Sequence, residues 1–145
     1  MIRHLILSDL GSILNIEREA FPKSPYDWFT FIQLYSLYPE TFLVYVGMVF
    51  GQQEGPVLGY IIFAPDGHII SIAVHPQQRR KGIGKKLLQR VIESPHVKKI
   101  WAEVRRSNKG AQAFYSRVGF EIVRTVPNYY GNEDALIIQW IPPAL

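Results

Sequence analysis

Cysteine is absent from the 145-residue chain. Disulfides, thiolate metal sites and a cysteine nucleophile are thereby excluded, and a reducing, cytoplasmic setting is expected. Long apolar runs are missing too. None reaches the roughly 18 residues of a membrane span, so no membrane role is expected. The opening "MIRHLILSDLG" holds too short an apolar stretch for a secretory signal and leads into a helix-start pattern. Acids are scarce in one window. Residues 79–109 hold 11 of the 16 Lys and Arg but only two of the 12 Asp and Glu, Glu93 and Glu103. That window carries +9 and the rest of the chain −5. Such a cluster points to an anionic ligand at one region, either nucleic acid or a phosphate-bearing cofactor, beyond a solvated basic face. The four histidines show no metal-ligand spacing, and no metal is expected.

What is present suits one domain over residues 1–145, since about 100–200 residues per domain is usual. Hydrophobic residues make up 48% of the chain, enough for a core. "SDLGSILNIEREAF" reads as a helix capped by Ser8, and "SPYDWFTFIQLYSLYP" as an aromatic-rich helix opened by Ser-Pro and closed before Pro39. "TFLVYVGMVF" and "PVLGYIIFAP" read as strands joined by a turn in "GQQEG", and "HIISIAV" as a third. A helix with Leu87, Leu88, Val91 and Ile92 on one stripe follows, stopped by Pro95. "KKIWAEV" is a strand, "SNKGAQAFYSRVG" a helix, and "FEIVRTVPNYY" with "DALIIQWI" a closing strand pair. The order αα-βββ-α-β-α-ββ predicts a mixed α/β layered domain with antiparallel early strands and a parallel pair around the central β-α-β unit.

The stretch "HPQQRRKGIGKKLL" lies where that strand meets that helix. A helix start leaves four backbone N–H groups unpaired and concentrates positive dipole, and small residues let an anion come close. Arg79, Arg80, Lys81, Lys85 and Lys86 surround Gly82 and Gly84, which reads as a pyrophosphate cradle. It is not a Walker loop, because Lys85-Lys86 follow Gly84 and no hydroxyl is placed for magnesium. It is not a dinucleotide fingerprint, because Leu87 stands where a third glycine is needed. Arg-x-x-Gly-x-Gly, from Arg79 to Gly84, remains.

"GHIISIAVHPQQRRKGIGKKLL" resembles the acetyl-CoA-binding motif of the GNAT N-acetyltransferases, and "WAEVRRSNKGAQAFYSRVGF" resembles the segment that follows it there. "VPNYYGNEDALIIQW" looks like the end of the RimI-like branch, whose enzymes acetylate protein α-amines. The resemblance implies a twisted, mostly antiparallel sheet of about seven strands, splayed between the fourth and fifth, with about four helices. It implies acetyl-CoA in the splay, with backbone of Ile72, Ala73 and Val74 along the pantetheine arm. A backbone N–H near Ala73 or Val74 would face the acetyl carbonyl. Arg79, Arg80, Lys81, Gly82, Ile83, Gly84 and Lys85 would hold the pyrophosphate. Asn108 would contact the cofactor arm as well as cap its helix.

Acetyl transfer to an amine needs a neutral amine, a stabilised oxyanion and a proton for the departing thiolate. Without cysteine, direct attack in a ternary complex is favoured. Glu103 is the candidate base: alternation puts it on one strand face with Trp101 and Arg105, opposite Ile100, Ala102 and Val104. As a plain surface residue it would pair with Arg105 or Lys99. Tyr115, by resemblance, is the candidate acid beside the thioester sulfur. Phe114 and Val118 are the more evident packing stripe of its helix. Tyr26, Trp28, Phe29, Tyr35, Tyr129 and Tyr130 are candidates for the acceptor groove, with Tyr129-Tyr130 the foremost pair. The expected acceptor is a protein or peptide N-terminus, possibilities such as a ribosomal protein included. A small amine or a lysine is the alternative within the fold, and a non-catalytic acetyl-CoA- or RNA-binding module the alternative outside it. No nucleic acid partner is expected, and a monomer or homodimer is.

Overall fold

The computed structural model describes residues 1–49, 54–95 and 97–141. Among them the chain runs β1 (Ile2–His4), α1 (Leu10–Ala20), α2 (Trp28–Leu37), β2 (Phe42–Val46), β3 (Val57–Phe63) and β4 (Ile69–Val74). It continues with α3 (Ile83–Ile92), β5 (Ile100–Arg105), α4 (Lys109–Arg117), β6 (Glu121–Val126) and β7 (Ala135–Trp140). The expected turn in "GQQEG" lies mostly outside the described residues.

Two local readings are corrected. The N-terminal strand β1 was absent from the sequence pattern, because three residues are too few for alternation to register. Pairing with β2 defines it, Arg3 standing opposite Val44. Ser8 is not the cap of α1. It sits in a short 3₁₀ turn, Leu7–Asp9, and the Asp9 carboxylate reaches back to accept the Ile6 N–H at 2.9 Å. Arg3 forks onto the same carboxylate at 2.7 and 3.0 Å and also pairs with Glu54. Burial pushes the Asp9 carboxyl up, but the Arg3 and Ile6 hydrogen bonds outweigh it and hold the group below its usual range. Likewise α2 starts at Trp28 rather than at Ser-Pro, because Asp27 caps it by accepting the Thr30 N–H at 2.8 Å.

The strands form two antiparallel sheets, ordered β1-β2-β3-β4 and β5-β7-β6. The parallel pairing expected between β4 and β5 is reduced to one point. His68 and Trp101 form a parallel bridge, and the Trp101 N–H donates to the Gly67 carbonyl at 3.2 Å. Beyond it β4 carries a partner, β3, on one edge only. This is the splay that the sequence resemblance implied.

Alternation along the strands divides the interior into two cores. Ile61, Ile100, Ala102 and Val104 face Ile83, Leu87, Leu88 and Val91 of α3. Val44, Tyr60 and Ile62 face Leu10, Ile13 and Ile16 of α1 and Phe31 of α2. The layers are therefore α1 and α2 on one side, α3 and α4 on the other. At the edge of the second sheet, β6 is exposed almost throughout, and its register shifts between Ile122 and Arg124, leaving Val123 as an extra residue.

Leu87 is fully buried and docks α3, whose first turn forms the cradle described below. Leu87→Ala should cost about 2–5 kcal/mol, as buried leucine truncations do. Urea unfolding would measure it; a cost below half a kcal/mol would mean that α3 is not anchored there.

Candidate active site

The basic loop meets the helix as its glycines suggest. Gly82 caps α3 with φ 80°, in the left-handed region, so a glycine there turns the chain without strain. Arg80 takes the same region at φ 64°, an uncommon choice for a residue with a side chain. The first turn of α3 leaves backbone N–H groups without helical partners at this point, and the helix dipole adds to them. Gly84 serves a different purpose. A Cβ on it would lie 3.0 Å from the Phe114 ring, so its hydrogen lets α3 close on α4.

A cleft of about 710 Å³ runs from this loop along the open edge of β4 to α4. Ile72, Ala73 and Val74 line it on the strand side, and Arg79, Arg80, Gly82, Ile83, Gly84 and Lys85 at the cradle. Asn108 lines it too, while its side chain caps α4 by accepting the Ala111 N–H at 3.0 Å. Lys81 is not among the lining residues; its amine donates to the Gln78 side chain at 3.2 Å. Sequence reasoning missed Phe21, Phe114 and Arg117 on the walls. An open strand edge, a ring of backbone donors and several cations together suit a long ligand with an amide-bearing arm and phosphates.

Glu103 lies on the strand face opposite Ile100, Ala102 and Val104, as its place in the alternation requires. Its partner is neither Arg105 nor Lys99. His68 Nε2 stands 2.9 Å from Glu103 Oε2, and the His68 ring stacks on Trp101 at 5.1 Å between centroids and 6° between planes. Lys99 instead lies over the Trp101 ring at 5.4 Å. Burial works to raise the Glu103 carboxyl, but the His68 hydrogen bond and charge prevail and hold it below the usual range. The same hydrogen bond raises His68, against the opposing effect of burial. His68 was passed over in the sequence because its partner is 35 residues away across a β-α-β crossing. The signal available was its place just before the cofactor strand.

Tyr115 is buried, ring edge against Phe114 at 5.3 Å and Phe120 at 5.0 Å between centroids. Burial first, then Glu103 and Tyr130 nearby, push its hydroxyl well above the ordinary tyrosine value, so it stays protonated. The packing stripe expected at Phe114 and Val118 is thus reversed in part. Tyr115 enters the core, and Phe114 turns to the cleft.

Tyr129 and Tyr130 meet edge to face at 4.9 Å, and Arg105 lies over the Tyr130 ring at 4.1 Å. Burial, then Tyr129 and Glu103, push the Tyr130 phenol up to about 12. Tyr26 is raised by burial first, then by Glu17, Tyr129 and Glu103, so it shares this neighbourhood. Trp28 and Phe29 open α2 with more than half their surface exposed, and Tyr35 packs inward on Phe42 at 6.5 Å. Outside the tyrosines an ionic clasp links the two loops. Glu133 accepts from Arg105 at 3.0 Å and from the Ser107 N–H at 2.6 Å, with Lys23 at 3.5 Å. Arg105 also donates to the Ser24 hydroxyl at 2.7 Å.

Residues 10–120 match the model of the acetyltransferase (GNAT) family. The chain belongs to the GNAT family. It is 37% identical to an uncharacterised N-acetyltransferase of Methanocaldococcus jannaschii, over 95% of this chain and 89% of that one. It is 31% identical to an N-alpha-acetyltransferase of Sulfurisphaera tokodaii, over 94% and 90%. Among solved structures it is similar to the ribosomal-protein-S18-alanine N-acetyltransferase of Escherichia coli. The TM-score is 0.74 and the identity 29%, covering 100% of this chain and 96% of that chain. The sequence resemblance to GNAT enzymes and their RimI-like branch agrees with these findings. Among the described residues no helix is long and apolar enough to cross a membrane, and no group of three or more metal-ligating side chains occurs.

The Glu103–His68 pairing can be tested without disturbing the stack on Trp101. In His68→Phe, burial of Glu103 remains while its cationic partner is lost, so the Glu103 carboxyl should titrate at higher pH than in the wild type. Carboxyl carbon NMR would read this, and an unchanged titration would remove the pair. The linkage has two limits. The contribution of Glu103 is lost as pH falls through its depressed value, and that of His68 as pH rises through its raised one.

Proposed function

We propose that this GNAT protein transfers the acetyl group of acetyl-CoA to the N-terminal α-amine of a polypeptide. The observation that carries the reading is the opening between β4 and β5. It has a phosphate-suited cleft on one side and an ionised carboxylate beside a tyrosine cluster on the other. The name of the Sulfurisphaera relative and that of the Escherichia coli structure add support.

Acetyl-CoA, when bound, supplies an activated thioester. The chain's own residues would do the rest. Open-edge backbone at Ile72, Ala73 and Val74 would hold the pantetheine arm, and the N-terminus of α3 with Arg79, Arg80 and Lys85 the pyrophosphate. A free N–H at Ala73 or Val74 would polarise the acetyl carbonyl. Glu103, held anionic by His68, would accept a proton from the acceptor ammonium, directly or through a water. Tyr115, kept neutral by burial, would give a proton to the departing thiolate. With no cysteine to carry the acetyl group, transfer would be direct. Tyr26, Tyr129 and Tyr130 would wall the acceptor.

The acceptor class follows from the modest strength of this base. At pH 7 an α-amine is neutral in roughly one molecule in ten, a lysine in roughly one in two thousand. A carboxylate whose pKa is lowered can serve the first and is poorly matched to the second.

Two peptides test the acceptor, one with a free N-terminus and no lysine, the other blocked with an internal lysine. With acetyl-CoA, release of free CoA should be faster on the first; faster acetylation of the blocked peptide would overturn the reading. On the active peptide, Tyr115→Phe should lower kcat about 10²–10⁴-fold with little change in acetyl-CoA affinity. Glu103→Gln should lose most at neutral pH and recover in part at higher pH, where the amine is already neutral. Wild-type rates in both variants would place the chemistry elsewhere.

A further inference from the structure

The segment between α1 and α2 supplies Phe21 to the cofactor cleft and Tyr26 to the neighbourhood of Glu103. It contains Pro22 and Pro25, which have no N–H to give. Both of its ends are tied to a single residue. The Glu17 backbone carbonyl accepts the Phe21 N–H at 2.8 Å, and Glu17 Oε2 accepts the Tyr26 N–H at 2.8 Å. Its Oε1 accepts the hydroxyl of Tyr60, which in turn lies 3.0 Å from Ser71 Oγ on β4.

This carboxyl is out of place by stability alone. Glu17 is 2% exposed and belongs to α1, whose Ile13 and Ile16 pack with Phe31 and Tyr60. Among the described residues no cation pairs with it. A buried acid held only by neutral donors is costly, and an apolar residue of similar size commonly packs better. The outer ties of the same segment, Lys23 to Ser107 and Ser24 to Arg105, are exposed to water and weaker.

We propose that Glu17 is a positioning residue for the acceptor, fixing Tyr26 from inside the protein and linking it through Tyr60 and Ser71 to the cofactor strand. This rests on the acceptor reading above. The required feature is a hydrogen-bond acceptor, not a charge. In Glu17→Gln the amide oxygen can take the Tyr26 N–H while the amide donates to the Tyr60 oxygen, whose proton turns to Ser71.

Steady-state kinetics with acetyl-CoA and the free-N-terminus peptide test it. Glu17→Gln should keep the peptide KM within about twofold, whereas Glu17→Leu should raise it about tenfold or more with the acetyl-CoA KM nearly unchanged. Tyr26→Ala should raise the peptide KM similarly, and the double variant Glu17→Leu/Tyr26→Ala should be no worse than either single one. An unchanged peptide KM in Glu17→Leu, equal damage in Gln and Leu, or additive effects would overturn the inference. Should Glu17→Leu not fold, amide exchange decides on the wild type and Glu17→Gln. The Tyr26 N–H should be slowed about a thousandfold in both, and free exchange would overturn the inference. Wild-type turnover of the peptide separates the two claims. Its absence removes the acceptor assignment and this inference with it; its presence, with a KM that Glu17→Leu leaves alone, removes this inference only.

Discussion

One backbone hydrogen bond, from the Trp101 N–H to the Gly67 carbonyl, marks where two sheets stop being one. There the starts of β4 and β5 meet; beyond it β4 keeps an unpaired edge. Everything that bears on function is arranged around that parting. The cradle at α3 lies at one end of the open edge, the Glu103–His68 pair beside the closed end, and the tyrosine loops over the face between. Unpaired strand backbone is costly when buried away from water. An edge left open within a folded domain is therefore a standing demand for a ligand that brings donors and acceptors of its own.

The two cores keep that parting in place. They share strands but not side chains, because period-2 alternation sends Ile61 to one and Tyr60 and Ile62 to the other. The α3–α4 core lies on the cradle side, with Gly84 close against the Phe114 ring. The α1–α2 core lies on the other side. Glu17 and Tyr60 bring polar groups into it at one place, directly behind the Tyr26 segment. The cleft and the Glu103–His68 pair thus lie at a gap between two separately packed layers.

The sequence was most legible where structure follows from local rules. The strand-loop-helix order at residues 69–92 and the parity of Glu103 depend only on chain geometry. It was least legible where a residue's role is set by a distant partner. His68 belongs with Glu103 only once the parallel register is known. Ser8 has the chemistry of a cap, yet the demands of Arg3 and Ile6 on Asp9 fix the turn differently. Phe114 and Tyr115 differ by one position, and which of them enters the core depends on where the cleft lies. β1 exists because β2 offers an edge, and three residues carry no pattern of their own.

The irregular strand β6 has a consequence for how copies of the protein meet one another. It is the outermost strand of its sheet, and Ile122 and Val123 on it are open to solvent. A flat edge of that kind is a template for further strands from other chains. The extra residue at Val123 twists the edge and breaks its repeat, while Glu121 and Arg124 set charges along it. An incoming strand would find no continuous ladder to join. The same irregularity that looks like a defect in the sheet acts as a guard against polymerisation.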